Sequence, residues 1–326
     1  ETRFFAVTNS TAKSYALSGT THTLVDTDSH GASVYAVDLS PDGNYLAAGG
    51  SKGGEDVSHA VFSVAADGSL TAVAQSGEND TLGGYVYALA WSPSGAHLAV
   101  AGWDSGGNTL KVYSVSGGVL TQVGSAYDHG SVINSVSWAP GGDYLVIGGN
   151  DSSNVTHRVY SVSDGVLAPV SQSGGNDDFG GSILRAVTWS PDGNYLAVGG
   201  TTSSGVNHRI YSVSNGVLTQ VGAGYDQSYY GGNAQVRSLA WTPDSAYLAV
   251  GIEANYFGAI VLYSVSDGVL TVQHRVGLEE PPYSIKWNSA GTKLYFGSGR
   301  NSNPRAHLRN YLTYNPLEAA DPTQTL

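Results

Sequence analysis

Six side chains stand out because they are large, polar and different from one another at a position that otherwise repeats. They are Tyr35, Tyr87, Asn134, Arg185, Arg237 and Tyr283. Each lies two residues before an aliphatic residue (Val37, Leu89, Val136, Val187, Leu239, Ile285) in a short segment of mostly small residues. Arginine carries a forked donor that suits carboxylate or phosphate. Tyrosine carries a flat face for a sugar or for a partner's aromatic side chain, with a hydroxyl at its rim. The chemistry in view is therefore recognition, with an anion at Arg185 and Arg237 if the fold brings the two together. A ring that only hydrogen-bonds water and neighbouring loops is the alternative.

The histidines suggest a metal at first sight. His59, His157, His208 and His307 recur at one position of a repeating pattern, just before an apolar segment. Equivalent positions of a repeat are held apart by the repeat itself, so the expectation is four separate structural histidines. His30 and His129 precede other segments and read the same way. Asp and Asn in "GENDT" and "GGNDD" could ligate Ca²⁺, but no loop has EF-hand spacing, so no cofactor is expected. For catalysis the chain has no G-x-S-x-G elbow, no H-E-x-x-H and no phosphate loop ahead of a helix. No catalytic residue can be named.

The elements that must position these residues are legible in a phrase. "SPDGNYLAVGG" (190–200) recurs as "SPDGNYLAAGG" (40–50), "SPSGAHLAVAG" (92–102), "APGGDYLVIGG" (139–149), "TPDSAYLAVGI" (242–252) and "NSAGTKLYFGS" (288–298). The proline falls at 41, 93, 140, 191 and 243, with Ser289 in the sixth place, a repeat that suits four strands. Two residues before it stands Leu39, Trp91, Trp138, Trp189, Trp241 or Trp287. Within each unit a strand such as "VYALAWS" (86–92) enters a Pro-Asp-Gly turn. "HLAVAG" (97–102), "LKVYSVS" (110–116) and "VLTQVG" (119–124) follow, the last two joined by a Gly turn. Apolar residues lack helical spacing, and no helix is expected.

Small residues on one face of the first strand and large ones on the other suit a strand crowded near an axis. The architecture expected is all-β: a seven-bladed β-propeller of four-stranded antiparallel blades. The repeats are 32–84, 85–130, 131–181, 182–233, 234–280 and 281–326. Residues 1–31 form a partial blade, with strands at 3–9, 13–18 and 21–27 and no innermost strand. "PLEAADPTQTL" (316–326) can supply one further strand, to close the ring within the chain or between copies.

"VTWSPDGNYLAVGG" resembles the inner half of a WD40 repeat. The outer half, "YSVSDGVLTQVG", has Tyr-Ser where that family has Trp-Asp, and is similar to lactonase-like propellers. The resemblance covers nearly the whole chain and implies the fold. It implies an enzyme only by analogy, because it consists of framework residues.

Composition narrows the partners. The 326 residues include 26 Asp and Glu against 14 Lys and Arg, for a formal charge of −12, and no basic run. Nucleic acid is not an expected partner, and no apolar stretch is long enough to span a membrane. There is no Cys, which removes disulfides and thiolate chemistry. Glu1 in place of Met points to a lost leading segment; a secretory signal explains it, as does simple trimming. Acceptor-type triplets at Asn9, Asn79, Asn150 and Asn154 would suit a glycosylated exterior. The function expected is a non-enzymatic extracellular protein that binds a protein or carbohydrate on its loop-bearing face. Self-association into oligomers or filaments is a further expectation, and a lactonase-like or sugar-hydrolase enzyme is the alternative.

Overall fold

The computed structural model describes residues 2–8, 11–18, 21–29, 33–51, 58–75, 81–150, 155–173, 175, 177–179, 183–201, 206–227, 230, 234–255, 257–298 and 307–313. Seven antiparallel sheets account for every strand in these residues, and they contain no α-helix. Blade 1 is β1 (Thr2–Thr8), β2 (Thr11–Ser18) and β3 (Thr21–Ser29). Blade 2 runs from β4 (Val34–Leu39) and β5 (Tyr45–Gly50) through β6 (His59–Val64) to β7 (Leu70–Val73). Blades 3 to 6 begin with β8 (Tyr85–Trp91), β12 (Ile133–Trp138), β16 (Leu184–Trp189) and β20 (Gln235–Trp241), and each has four strands. Blade 7 is β24 (Pro282–Trp287), β25 (Lys293–Ser298) and β26 (His307–Thr313).

The first strands of blades 2 to 7 lie side by side in chain order, and β1 packs beside β4. This is the radial arrangement of a seven-bladed propeller with the inner strands around a common axis. The core lies between the blades. Leu46, Leu98, Leu145, Leu196 and Leu248, one per repeat, are fully buried.

Several residues of the recurring phrase make contact with a neighbouring blade. The turn glycine closes a tight turn, as Gly43 does by donating its N–H to the Ser40 carbonyl at 2.9 Å with φ of 75°. That glycine also sits against the proline of the preceding blade: a Cβ on Gly95 would meet Pro41 at 3.6 Å, and one on Gly193 would meet Pro140 at 3.8 Å. The tyrosine or histidine packs on the next blade's tryptophan, as Tyr45 on Trp91 (6.5 Å), His97 on Trp138 (6.3 Å), Tyr144 on Trp189 (6.4 Å) and Tyr195 on Trp241 (6.4 Å). The first of the paired glycines leaves room for the neighbouring inner strand: a Cβ on Gly49 would run into Val86, and one on Gly148 into Leu184 and Val187.

Two hydrogen bonds complete the clasp. At the inner end, tryptophan donates its indole N–H to a main-chain carbonyl of the preceding inner strand. The pairs are Trp91 to Asp38 (3.1 Å), Trp138 to Ala90 (2.9 Å), Trp241 to Thr188 (3.4 Å) and Trp287 to Ala240 (3.2 Å). At the outer end, the N–H of Leu70, Leu120, Leu167, Leu218 or Leu270 donates to a side-chain oxygen of the blade before it. The acceptors are Asp26, Gln75, Tyr127, Gln172 and Tyr225. Asp26 shows blade 1 clasping blade 2 as the others clasp. Blade 2 carries Leu39 where its neighbours carry tryptophan, and the described residues of blade 1 include no inner strand to accept an indole N–H.

The histidines belong to these blade interfaces. His59, His157 and His208 are buried, and each packs on a tyrosine of the following blade: Tyr113 (5.3 Å), Tyr211 (5.4 Å) and Tyr263 (5.4 Å). His129 is buried too, its backbone N–H donating to Thr109 Oγ1 at 2.9 Å. They sit in different interfaces and do not converge. His30 and the side chain of His307 lie outside the described part.

The packing predicts a sharp contrast between two glycines. Gly200→Ala would push a methyl into the Ile183 carbonyl, whereas Gly277→Ala adds one where no atom lies within 4 Å. Gly200→Ala should cost about 1–3 kcal/mol in denaturant unfolding, and Gly277→Ala less than about 0.5 kcal/mol. A second prediction concerns acid. Burial lowers the His208 pKa from 6.5 to about 3, and neither ring nitrogen has a hydrogen-bond partner. The unfolded chain then binds a proton that the fold refuses. Stability is complete above pH 6.5 and falls between 6.5 and about 3, by up to about 1.4 kcal/mol per pH unit for this group. Thermal unfolding followed from pH 7 to pH 4 should show a shallower slope for His208→Phe than for the native chain.

Candidate functional site

The six singled-out residues share a backbone device. In β4, Val34 faces Gly50 and Ala36 faces Gly49, so Tyr35 is an extra residue with no partner. The same slip occurs at Tyr87, Asn134, Arg185, Arg237 and Tyr283. Each is the extra residue of a β-bulge, which re-aims its side chain away from the regular alternation. The second of the paired glycines accommodates the bulge. A Cβ on Gly50, Gly102, Gly149 or Gly200 would collide with the carbonyl of Ser33, Tyr85, Val132 or Ile183, at the start of the bulged strand. The repeated phrase thus positions the site as well as the framework. All six hold the same position relative to the bulge on the inner strands of blades 2 to 7.

Two arcs of different character result. In blades 2 and 3 the side chains form an aromatic strip. Tyr35 lies 5.6 Å from Tyr87, Tyr87 is stacked on Tyr85 at 6.1 Å and 15°, and Tyr85 lies 5.8 Å from Trp103. Trp103 ends β9 (His97–Trp103) directly opposite Tyr85. Tyr35, Tyr85 and Trp103 keep 40%, 39% and 38% of their surface exposed, so the strip is a shallow platform. Burial, then the neighbouring phenols of Tyr35 and Tyr85, raise the Tyr87 pKa. Asn134, in blade 4, donates its side-chain N–H to the Leu184 carbonyl at 2.9 Å. That bond ties it to blade 5.

The arc in blades 5 to 7 is charged. Arg237 is paired through Nε with the Glu253 carboxylate, and its guanidinium lies over the Tyr283 ring, 5.3 Å from the centroid. Arg185 stands beside this pair. Burial, and next the Arg237 charge, lower its pKa, while Glu253 and Tyr283 act the other way. Its Nε is buried and has no acceptor. Two guanidinium groups share one carboxylate, leaving one positive charge uncompensated in a strongly acidic chain. Burial, then Glu253, raise the Tyr283 phenol.

Three residues further along the inner strands, Lys286 Nζ of blade 7 approaches Asp38 Oδ1 of blade 2 at 3.9 Å. Asp38 also accepts the Trp91 N–H at 2.9 Å. Burial raises the Asp38 pKa, opposed by Lys286 and the two backbone N–H donors.

Sequence reasoning missed Glu253 and Trp103. In blade 6, β21 (Tyr247–Ala254) and β22 (Phe257–Ser266) meet in a tight hairpin, with Ala254 opposite Phe257 and Asn255 at φ 46°. The hairpin puts Glu253 on a strand, opposite Gln235 and within reach of Arg237. The strand read at 97–102 runs one residue further and so pairs Trp103 with Tyr85. Its continued alternation of side chains was the signal available. Of the acceptor-type asparagines, Asn150 is exposed; Asn9, Asn79 and Asn154 lie outside the described part. No group of three or more metal-ligating side chains occurs among the described residues, and no described helix is long and apolar enough to cross a membrane.

The WD domain, G-beta repeat model matches residues 20–55, 76–114, 120–154 and 176–206. No curated protein matches the sequence. Among solved structures, a presumptive 6-phosphogluconolactonase from Bacteroides fragilis superposes with a TM-score of 0.68 at 14% identity, over 95% of this chain and 94% of its own. U3-55K gives 0.65 at 16% identity over 94% and 89%, and the RRP9 WD40 repeats give 0.65 at 16% over 92% and 84%. At these identities the likeness is one of fold. With the bulged inner strands and the radial clasp, it makes this chain a β-propeller, part of whose length matches the WD domain, G-beta repeat model.

Proposed function

We propose that the chain is an exported, non-enzymatic binding protein that engages a protein or carbohydrate at the channel mouth. One observation carries this reading. Six bulges present side chains at a single opening, and those side chains vary from blade to blade while the framework repeats. A surface that varies on a fixed scaffold is the usual arrangement for recognition. Relatives of both kinds support the coarser statement, since propellers serve as interaction modules and as lactonase-like enzymes. The enzyme alternative needs a free acid–base pair at the mouth, and the carboxylate described there, Glu253, is held by Arg237.

The test is a screen of immobilised glycans and peptides with the native chain and with Tyr87→Ala/Arg185→Ala. Hits of the native chain should weaken at least about tenfold in the variant, at an unfolding midpoint within a few degrees. Hits that persist unchanged would remove the mouth as the working surface.

A second reading has its own observation. Among the described residues β1 pairs on one side only, with β2, and Leu39 replaces the tryptophan that would clasp an inner strand of blade 1. We infer that a strand of a second copy adds to this edge and links copies into oligomers or filaments. Sedimentation velocity and negative-stain imaging of the full chain should show assemblies. A monodisperse full-length monomer overturns this reading.

A further inference from the structure

We propose that the mouth ligand is an acidic saccharide, a run of pyranose rings bearing carboxylates. The aromatic strip would take the sugar faces, and Arg185 a carboxylate. This rests on the mouth being the working surface and adds the chemical class of what it holds.

The charged arc requires an anion. Arg185 has a buried Nε without an acceptor, and its neighbours supply a second guanidinium against a single carboxylate. That Nε is itself covered by protein, so a ligand would meet the terminal guanidinium nitrogens, which no described carboxylate holds. The size of the imbalance selects the anion. At the point of contact one uncompensated positive charge matches one carboxylate of the saccharide, whereas a phosphate dianion at the same point would bring excess negative charge against Glu253. Arg185 retains its fork for a two-point contact, while Arg237 is already spent on Glu253 and Tyr283.

The other arc argues for a sugar. Trp103, Tyr85, Tyr87 and Tyr35 follow one another at 5.8, 6.1 and 5.6 Å with interplanar angles of 33°, 15° and 37°. That is a strip of shallow, nearly continuous platforms with hydroxyls or an indole N–H at the rims. The C–H faces of pyranose rings lie on such platforms while their hydroxyls reach the phenols. An apolar peptide side chain gains most from a closed apolar pocket, and these rings are open to water along one side. Both arcs occupy equivalent positions of one ring of inner strands, so a single chain of sugars can touch both.

The experiment uses the full chain and two probes of equal length, an oligogalacturonate hexamer and its methyl-esterified, neutral counterpart, with poly-glutamate as a third ligand. Titration calorimetry should show the acidic hexamer binding at least tenfold tighter than the ester. Arg185→Gln should weaken the acidic hexamer at least tenfold and leave the ester unchanged, and Tyr87→Ala should weaken both. The acid-against-ester comparison is made on the native protein, so it stands even if Arg185→Gln folds poorly. Equal binding of acid and ester overturns the anion, and poly-glutamate binding as tightly as the uronate overturns the sugar. Failure of both hexamers overturns the class, while the mouth as a binding surface is judged separately by loss of screen hits in Tyr87→Ala/Arg185→Ala.

Discussion

Everything in this molecule depends on how closely the inner strands crowd the axis. At the inner ends there is no room for a side chain on the residues facing the next blade, and Gly49, Gly148 and Gly199 sit against Val86, Leu184 and Val236 for that reason. The following glycine brings a main-chain carbonyl of the inner strand close enough to bond the next backbone N–H, as Ser51 bonds Ser33 at 2.7 Å and Asn150 bonds Val132 at 2.9 Å. That approach leaves one residue too many in the inner strand, and the surplus residue is the bulge. Crowding at the axis therefore creates the variable, bulged position as a by-product of packing.

The clasp explains why the same body tolerates such different mouths. Every tryptophan bond ends on a main-chain carbonyl, so the residue that supplies it is free to be Asp38, Ala90, Thr188 or Ala240. The outer bond reverses the arrangement, with a main-chain N–H donating to Asp26, Gln75, Tyr127, Gln172 or Tyr225. Each such bond contributes about 1 kcal/mol net, and each aromatic pair about as much again beyond its buried area. Neither places a demand on the bulged residue. Trp189 shows the tolerance of the scheme, since it packs on Tyr144 while its indole nitrogen lacks an acceptor.

Architecture was readable in the sequence because a repeat exposes its constraints by recurrence. Pro41 to Pro243, the paired glycines and the tryptophans mark the same places in successive blades, and the three N-terminal strands fell within one or two residues of β1 to β3. The six variable inner-strand positions stood out for the same reason, though their cause did not: recurrence shows that a position varies without showing that it is the extra residue of a bulge. What escaped was the non-recurrent part. Glu253 belongs to a tight hairpin that blade 6 builds where blades 2 to 5 have longer connections, and Trp103 to an extension of one strand in blade 3. Pairings made by a single blade carry no echo elsewhere in the chain, and the sign and strength of the charged arc depend on one of them.

Blade 1 is where these threads meet. It clasps blade 2 through Asp26 at the outer rim and through Ser14, whose hydroxyl donates to the Gly68 carbonyl at 2.7 Å. Its attachment is thus made at the middle and outer parts of the sheet. At the axis the link is of another kind: Lys286 reaches Asp38 between the inner strands of blades 7 and 2. A lysine that is mostly solvated gives a weak bond. The leucine at position 39 fits that picture, because a tryptophan there would bury an indole N–H with no inner-strand carbonyl of blade 1 described to receive it.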